Sequence, residues 1–180
     1  MRAVLLLRAV NVGGHNRLPM ADLRAVLADL GAADVATYLQ SGNAVLTAPL
    51  QGLPERVERA LHDRLGLSVR VLIRTLGELD ALIAANPFPE RVATPKLLHV
   101  AFFAEQPDPA RVAEVGTQHG ADMLAVGDRA VYLSYAHSSL SVELGTALRR
   151  LGGVTTVRNW RTVCALAGLA AGRATGPGPA

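Results

Sequence analysis

The first third of the chain alternates between short apolar runs and stretches in which apolar residues have helical spacing. Residues 3–9, apolar except for Arg8, predict a strand, and the loop VNVGGHNRL follows it. Between Pro19 and Gly31, apolar residues recur every three or four positions. This spacing predicts a helix that starts at the proline and stops at the glycine.

The following segments complete one α/β lobe. The pattern predicts strands at 35–40 and 44–47 joined by the turn Ser41-Gly42-Asn43, an amphipathic helix at 53–65, and a fourth strand at 68–74. The resulting order, β-α-β-β-α-β, is the split βαβ or ferredoxin-like arrangement.

The second half of the chain partly repeats this order. Thr75 and Glu78 predict a capping box for a helix that ends near residue 85, and Asn86-Pro87-Phe88-Pro89 predicts a linker. Beyond the linker, the pattern predicts a strand at 96–104, a helix at 109–120, a hairpin of strands 121–126 and 130–135, and helices at 140–151 and 158–170.

We therefore expect an α+β protein with two ferredoxin-like lobes, antiparallel or mixed sheets, and additional C-terminal helices. The expected division is a first lobe over residues 1–75, a helix and linker over 76–95, a second lobe with C-terminal helices over 96–172, and a flexible tail over 173–180.

Composition excludes several classes of protein. Half of the residues are hydrophobic, which is typical of a globular chain and not of a disordered one. No apolar run has the length of a membrane span or of a signal-peptide core, so no membrane association is expected. Cys164 is the only cysteine, which excludes an internal disulfide and any CxxC motif. Its apolar helical neighbours indicate a packed thiol, and a reducing cytosol is the expected location.

Basic residues are segregated toward the two ends of the chain. The net charge is +3, and arginine supplies every basic residue except Lys96. Three arginines and no acid precede Asp22, and five arginines and no acid follow Glu143. Such segregation attracts an anionic partner if the two ends meet in the fold. The alternative is a set of solvated helix faces.

The glycine loop after the first strand is the first candidate site. A strand that leads through glycines into a helix N-terminus exposes free N–H groups where the helix dipole favours an anion. The loop lacks the GK[ST] of a P-loop and the full GxGxxG pattern. The alternative is a structural turn with left-handed glycines and capping asparagines. The candidate ligand-binding residues are Arg8, Asn11, Gly13, Gly14, His15, Asn16 and Arg17.

Two further segments supply candidate ligand-binding residues. Gln40, Ser41 and Asn43 would present polar groups beside the glycine loop, although a Gly-Asn turn alone also explains them. The segment Arg158-Asn159-Trp160 offers an arginine for a phosphate or carboxylate and an indole face for stacking. The alternative is a helix start that Asn159 caps and Trp160 anchors. An anion site at the glycine loop would need Arg158 or Arg161 to complete it.

The remaining histidine and serine residues predict neither a metal site nor a catalytic site from sequence alone. The five histidines show no metal-ligand spacing, so neither a metal nor a cofactor is expected. The segment His137-Ser138-Ser139 has no assignable acid partner that would support a catalytic triad.

Several motifs resemble one bacterial family. These motifs are LLLRAVNVGGHNRLPMADLRAVLADLG, VATYLQSGNAVL, ANPF, PKLLHVAF, AVYLSY and VRNWRTVCALAGLA. They resemble, in order, the family catalogued as domain of unknown function 1697. The resemblance implies the fold inferred above and leaves the activity open. Ala9 stands where the family usually has glycine, Arg161 stands where it usually has asparagine, and residues 136–140 form a shorter loop than usual.

The favoured function is a binding module for an anionic ligand, either a phosphorylated small molecule or a nucleic acid. Aromatic residues make up only 4% of the chain and no RNP1-like octamer is present, which argues against single-stranded RNA. One alternative is a small enzyme that acts on an anionic metabolite in a cleft between the lobes, with His15 as its acid–base group. Another is a dimerising interaction protein.

Overall fold

The structure is a computed structural model that describes residues 1–14, 16–137 and 141–173. His15, the serines of His137-Ser138-Ser139 and all but the first residue of the expected tail lie outside the described residues. The chain forms two compact units. Among the described residues, the first comprises Met1–Asp80 together with residues 165–173, and the second lies within Ala81–Cys164.

The described part contains nine strands, six α-helices and one short 3-10 helix, Pro89–Arg91. The strands are β1 Arg2–Leu7, β2 Ala33–Tyr38, β3 Asn43–Thr47, β4 Val71–Thr75, β5 Leu98–Phe103, β6 Gln118–His119, β7 Asp122–Gly127, β8 Ala130–Ser134 and β9 Thr155–Asn159. The helices are α1 Met20–Asp29, α2 Leu53–Leu65, α3 Leu76–Ala84, α4 Pro109–Val115, α5 Val142–Leu151 and α6 Trp160–Ala170.

The first unit is built on a four-stranded sheet in the order β2-β3-β1-β4. Every pairing in it is antiparallel, with Leu5 of β1 opposite Ala44 of β3 and Ile73 of β4. Strand β1 is a run of five buried residues after Arg2, as expected for an inner strand of the sheet. Apolar residues of α1 and α2 pack with the sheet into one core. The glycine loop therefore leaves the end of a fixed central strand.

The second unit is built on a five-stranded sheet in the order β6-β7-β8-β5-β9, again with antiparallel pairings only. Its core combines residues of β5, β7 and β8 with the buried face of α5. Ser141 caps α5, because its hydroxyl accepts the N–H of Leu144 at 3.1 Å. The sequence-based expectation of an α+β protein is confirmed, and both sheets are antiparallel.

Strand β9 was not expected from the sequence. The helix predicted over 158–170 begins only at Trp160, because Thr155–Asn159 pairs with β5. Two threonines and a valine give this segment β-propensity, and the partner strand supplies its backbone hydrogen bonds. The side chain of Asn159 then caps α6, since its oxygen accepts the N–H of Thr162 at 2.8 Å. The helix predicted over 109–120 is likewise shorter and ends before Gly116, which has a left-handed φ of 71°.

Two smaller expectations were also wrong. The hairpin turn comprises residues 39–42, so Gln40 belongs to the turn and Asn43 to β3. Cys164 lies on the exposed face of α6 and is not packed, although partial burial raises the pKa of its thiol. No helix of the described residues is long and apolar enough to cross a membrane.

Candidate functional site

The loop between β1 and α1 has an unusual concentration of left-handed backbone. Ala9, Asn11 and Asn16 have φ values of 54°, 56° and 49°, and Gly13 and Gly14 have values of 58° and 79°. A left-handed conformation costs a residue with a side chain about 1–2 kcal/mol, least for asparagine. The backbone of this loop therefore adopts conformations that its residues do not favour on their own. Hydrogen bonds must compensate for the free-energy cost of these conformations.

Asn11 supplies most of these hydrogen bonds. Its side-chain nitrogen donates to the carbonyl oxygen of Leu18 at 2.9 Å, and its side-chain oxygen accepts the N–H of Leu18 at 2.9 Å. The same nitrogen donates to the carbonyl oxygen of Gln40 at 2.6 Å. Asn16 donates to the carbonyl oxygen of Ala9 at 3.1 Å. Asn11 thus closes the loop on itself and joins it to the hairpin turn, while the buried side chain of Leu18 anchors it in the core.

The hairpin turn approaches the end of β1 closely at Gly42. Its carbonyl oxygen accepts the N–H of Leu7 at 2.8 Å. A side chain at Gly42 would collide with Val10 Cγ2 and would lie 2.8 Å from Leu7 Cβ. Only glycine allows this approach, which places Gln40 next to the glycine loop.

Ser41 and Asn43 have roles inside the turn. Asn43 is completely buried, and its side-chain nitrogen donates to the carbonyl oxygen of Tyr38 at 3.0 Å and to Ser41 Oγ at 2.8 Å. These contacts agree with the alternative in which Ser41 and Asn43 only stabilise the turn. Gln40 differs from both, because its side chain is exposed at the tip of the turn.

An open pocket of about 390 Å³ lies where the glycine loop meets the turn. It is lined by Asn11, Gly14, Arg17, Leu18, Pro19 and Gln40. Four of these residues were candidates from the sequence. Leu18 and Pro19 were not, and the signal that marks them is their position directly before the first residue of α1.

Arg8 and Arg17 give this region its charge. Both are exposed, and neither side chain has a hydrogen-bond or ion-pair partner among residues 1–14, 16–137 and 141–173. Three other arginines of the first unit have carboxylate partners, since Arg2 pairs with Asp34, Arg64 with Asp29 and Arg70 with Glu58. Arg56 and Arg59, both on α2, have none among the described residues. Arg17 lines the pocket itself. Arg8 lies at the start of the loop, and its backbone N–H donates to the carbonyl oxygen of Arg70.

The N-terminus of α1 adds a partial positive charge beside the pocket. The residue before the helix is Pro19, and no side chain caps the first turn. The N–H groups of Asp22 and Leu23 donate to the carbonyl oxygen of Pro19 at 3.1 and 3.2 Å, which leaves those of Met20 and Ala21 without a partner within the helix. Asp22 lies in this turn and opposes the positive potential that the helix dipole and Arg17 create.

The third candidate segment lies in the second unit. Arg158, on β9, donates to Thr156 Oγ1 at 2.7 Å and to the carbonyl oxygen of Val157 at 2.8 Å. Burial lowers the pKa of its guanidinium to about 10, so it remains charged at neutral pH. Asn159 caps α6, and Trp160 is buried and presents no open indole face. The contacts of Asn159 and Trp160 are those of a helix start.

Asp122 supplies an acid near His137 that sequence reasoning did not find. The two residues are distant in sequence, but β7 places the carboxylate of Asp122 where it accepts the N–H of Ala136 at 2.7 Å. Burial acts to raise the pKa of Asp122, but hydrogen bonds from Ala136 and Ser141 and the charge of His137 outweigh it and leave the pKa below its ordinary value. No group of three metal-ligating side chains occurs in the part of the chain that the structure describes.

Comparison with known proteins places the chain in a family. Residues 1–132 match the family described as protein of unknown function DUF1697. The chain belongs to this family. The matched range includes the whole glycine loop, the hairpin turn and the pocket between them.

A solved structure shows the same fold. The conserved bacterial protein SP0830 from Streptococcus pneumoniae superposes on this chain with a TM-score of 0.72 and 22% sequence identity. The match covers 94% of this chain and 98% of the other. No curated protein matches the sequence.

Proposed function

We propose that the first unit binds a phosphate-bearing ligand in the pocket between the glycine loop and the hairpin turn. The observation that carries the proposal is Arg17, a pocket-lining guanidinium that has no partner among the described residues. Its fork of N–H donors matches a phosphate or carboxylate group. The exposed backbone at Gly14 and the uncapped start of α1 favour the same charge.

The strand order supports a ferredoxin-like assignment for the first unit. Read from the other edge, the sheet is β4-β1-β3-β2 with alternating strand directions, and a helix follows each of β1 and β3. This is the arrangement of the split βαβ motif. In this arrangement the β1–α1 loop and the β2–β3 turn lie at the same end of the sheet. This is why Asn11 and Gln40, which are 29 positions apart in the sequence, line one pocket.

Binding is favoured over catalysis by the residues of the pocket. The described residues that line it include no carboxylate, histidine, cysteine or hydroxyl side chain, and so these residues supply neither a nucleophile nor an acid–base pair. A second open groove of the first unit, about 430 Å³, has charges of both signs. There Glu58 already neutralises Arg70 at 3.3 Å, so this groove has less preference for an anion.

Titration of the isotope-labelled protein with inorganic phosphate and pyrophosphate, followed by amide chemical shifts at low salt, tests the proposal. We expect saturable shifts in residues 11–21. Arg17→Gln should raise Kd at least about tenfold and at most about 150-fold, since a hydrogen bond to a charged group contributes roughly 1.5–3 kcal/mol. Arg8→Gln should have a smaller effect because Arg8 does not line the pocket. Asp22→Asn should lower Kd about two- to fivefold, as expected for removal of an opposing charge at a helix start.

Arg56→Gln is the matched control, because Arg56 is an exposed arginine on α2 without a carboxylate partner among the described residues. It changes the net charge by the same amount at a different place. Equal weakening by Arg17→Gln and Arg56→Gln would reduce the effect to net charge and overturn the proposal. Absence of shifts at the loop with both anions would overturn it as well.

A single-stranded oligonucleotide distinguishes the nucleic-acid form of the proposal from the small-molecule form. If Arg8 and Arg17 are the only residues that contact phosphate groups, a plot of the log association constant against log salt concentration should have a slope of about −1.4. A steeper slope would indicate more phosphate contacts than this pocket provides. Binding of pyrophosphate without binding of the oligonucleotide would restrict the ligand to small phosphorylated molecules.

A further inference from the structure

The second groove of the first unit lies where α2 meets the connection that leads into β4. Its volume is about 430 Å³, and the described residues that line it are Glu55, Glu58, Arg59, His62, Leu67, Ser68, Val69 and Arg70. With histidine neutral, two arginines and two glutamates give these residues a net charge of zero. The lining therefore favours neither a simple anion nor a simple cation, although it offers charges of both signs.

One arginine of the groove is held in place by a glutamate. Glu58 Oε1 accepts the N–H of Val71 at 2.8 Å, and the same oxygen lies 3.3 Å from Arg70 Nε. The backbone contact fixes the Glu58 side chain, which is only 20% exposed, and Glu58 in turn orients the guanidinium of Arg70. The two terminal nitrogens of Arg70 donate no hydrogen bond to any described residue. They form an oriented fork that can still donate to a carboxylate.

Glu55 and Arg59 are opposite charges that do not pair with each other. Both are exposed on α2, and neither has a hydrogen-bond or ion-pair partner in the part of the chain that the structure describes. Residues four apart on a helix have Cβ atoms about 5–6 Å apart, and a glutamate that precedes a basic residue at this spacing favours an ion pair. Here both residues line the groove instead. Each charge is therefore available to a bound molecule.

We propose that this groove binds a small zwitterion, of which a free α-amino acid is the simplest. Its carboxylate lies against Arg59 and Arg70, and its ammonium group lies against Glu55. An α-amino acid has both charges on one carbon atom, so it can bridge two side chains that are neighbours on a helix face. An ion with a single charge would leave either the carboxylate or the guanidinium groups unmatched. The site is separate from the pocket at the glycine loop and goes beyond the function proposed for it.

Three matched compounds test the inference through amide chemical shifts of the isotope-labelled protein at neutral pH and low salt. Glycine is the zwitterion, N-acetylglycine lacks its ammonium group, and glycinamide lacks its carboxylate. We expect glycine to cause saturable shifts in residues 55–70. It should bind about fivefold more tightly than either derivative, which is the effect expected of one exposed charge pair.

Single substitutions assign the two ends of the ligand. Glu55→Gln should weaken the binding of glycine and glycinamide but not that of N-acetylglycine. Arg59→Gln should weaken the binding of glycine and N-acetylglycine but not that of glycinamide. Arg70→Gln should weaken N-acetylglycine at least as much, because it also leaves Glu58 without its cation. A merely structural effect of these substitutions would weaken all three compounds alike.

The matched controls are Asp63→Asn and Arg56→Gln. Both residues are exposed on α2, neither is among the lining residues of the groove, and neither has an ion-pair partner among the described residues. The two variants change the net charge of the chain by the same amounts as Glu55→Gln and Arg59→Gln. They should leave the affinities for all three compounds unchanged.

The outcomes separate this inference from the proposed function. Equal affinities for glycine and its two derivatives would overturn the inference, and so would equal weakening of glycine by Glu55→Gln and Asp63→Asn. Absence of shifts in residues 55–70, including the case in which glycine shifts only residues 11–21, would overturn it as well. Phosphate binding at the glycine loop stands in each of these cases, because no residue of the groove lines that pocket.

Discussion

The side-chain amide of Asn11 donates a hydrogen bond of 2.6 Å to the backbone carbonyl of Gln40. The two residues belong to different connections of the sheet, one after β1 and one between β2 and β3. Because the same side chain also holds Leu18 by two hydrogen bonds, it fixes both walls of the pocket at once. The relative position of the two pocket walls therefore depends more on the side-chain amide of Asn11 than on Gly13 and Gly14.

Asn11→Ala should loosen the loop without unfolding the first unit. The variant loses three hydrogen bonds in an exposed region, where water replaces part of each, and puts alanine at a left-handed φ of 56°. We therefore expect a loss of about 2–3 kcal/mol in the free energy of unfolding, part of it backbone strain. The amide of Leu18 should exchange faster with solvent, because Asn11 Oδ1 is its acceptor. Hydrogen exchange followed by NMR measures this.

Asn16→Ala is the control for that experiment. The side chain of Asn16 donates to the carbonyl oxygen of Ala9 and makes no hydrogen bond with Leu18 or Gln40 among the described residues. Its replacement should leave the exchange of the Leu18 amide slow. Equal acceleration by the two variants would show that Asn11 has no special role.

Gly42→Ala should be far more damaging than Gly14→Ala. A Cβ at Gly42 collides with Val10 and Leu7, both buried in the core, and the φ of 70° adds strain. A Cβ at Gly14 meets nothing within 4 Å, so only its φ of 79° opposes the substitution. We expect a loss of about 1 kcal/mol for Gly14→Ala and at least about 3 kcal/mol for Gly42→Ala. Urea unfolding of both variants checks the order, and similar losses would contradict the close approach at Gly42.

Ala9→Gly should stabilise the protein. Ala9 stands where the family resemblance implies glycine, and the structure gives it a left-handed φ of 54°. Glycine removes a strain of about 1–2 kcal/mol but increases the entropy of the unfolded chain by about 0.4–1 kcal/mol. The net gain should be at most about 1.6 kcal/mol, visible as a higher urea midpoint with an unchanged slope. A lower midpoint would show that the methyl group of Ala9 contributes packing that outweighs the strain.

The sequence predicted most elements of the fold because their signals are local. The α2 helix has the predicted bounds, since proline near its start and glycine at its end define both limits. Strand β9 has no such limits, and its existence depends on pairing with β5, which is distant in sequence. The turn at 39–42 was shifted because Leu39 adopts a left-handed conformation that its residue type does not favour.

The candidate site was predictable only in part, for the same physical reason. Glycine and arginine near the helix start indicated the loop, and both Gly14 and Arg17 line the pocket. The role of Asn11 required the position of the Gln40 carbonyl, which no local pattern supplies. Similarly, the partner of His137 could not be assigned because Asp122 reaches this region only through the β7–β8 pairing.

The stability of the second unit should fall on acidification through protonation of His99. Its imidazole stacks on Tyr135 with ring centroids 4.5 Å apart. Nδ1 is buried and has no hydrogen-bond partner among the described residues. Burial lowers the pKa of His99 below its ordinary value of 6.5. The unfolded chain therefore binds this proton more readily, so the stabilisation is complete above about pH 6.5 and decreases as the pH falls toward the folded-state pKa.

His99→Phe tests this prediction because it keeps an aromatic ring beside Tyr135 and removes the titrating group. Between pH 7.5 and pH 5, the free energy of unfolding of the variant should depend less on pH than that of the wild-type protein. The difference corresponds to about 1.4 kcal/mol for each unit by which folding lowers the pKa. Identical slopes for the two proteins would mean that His99 is as easily protonated in the folded chain as in the unfolded one. The comparison isolates His99, since the remaining histidines and carboxylates are common to both proteins and contribute equally to each curve.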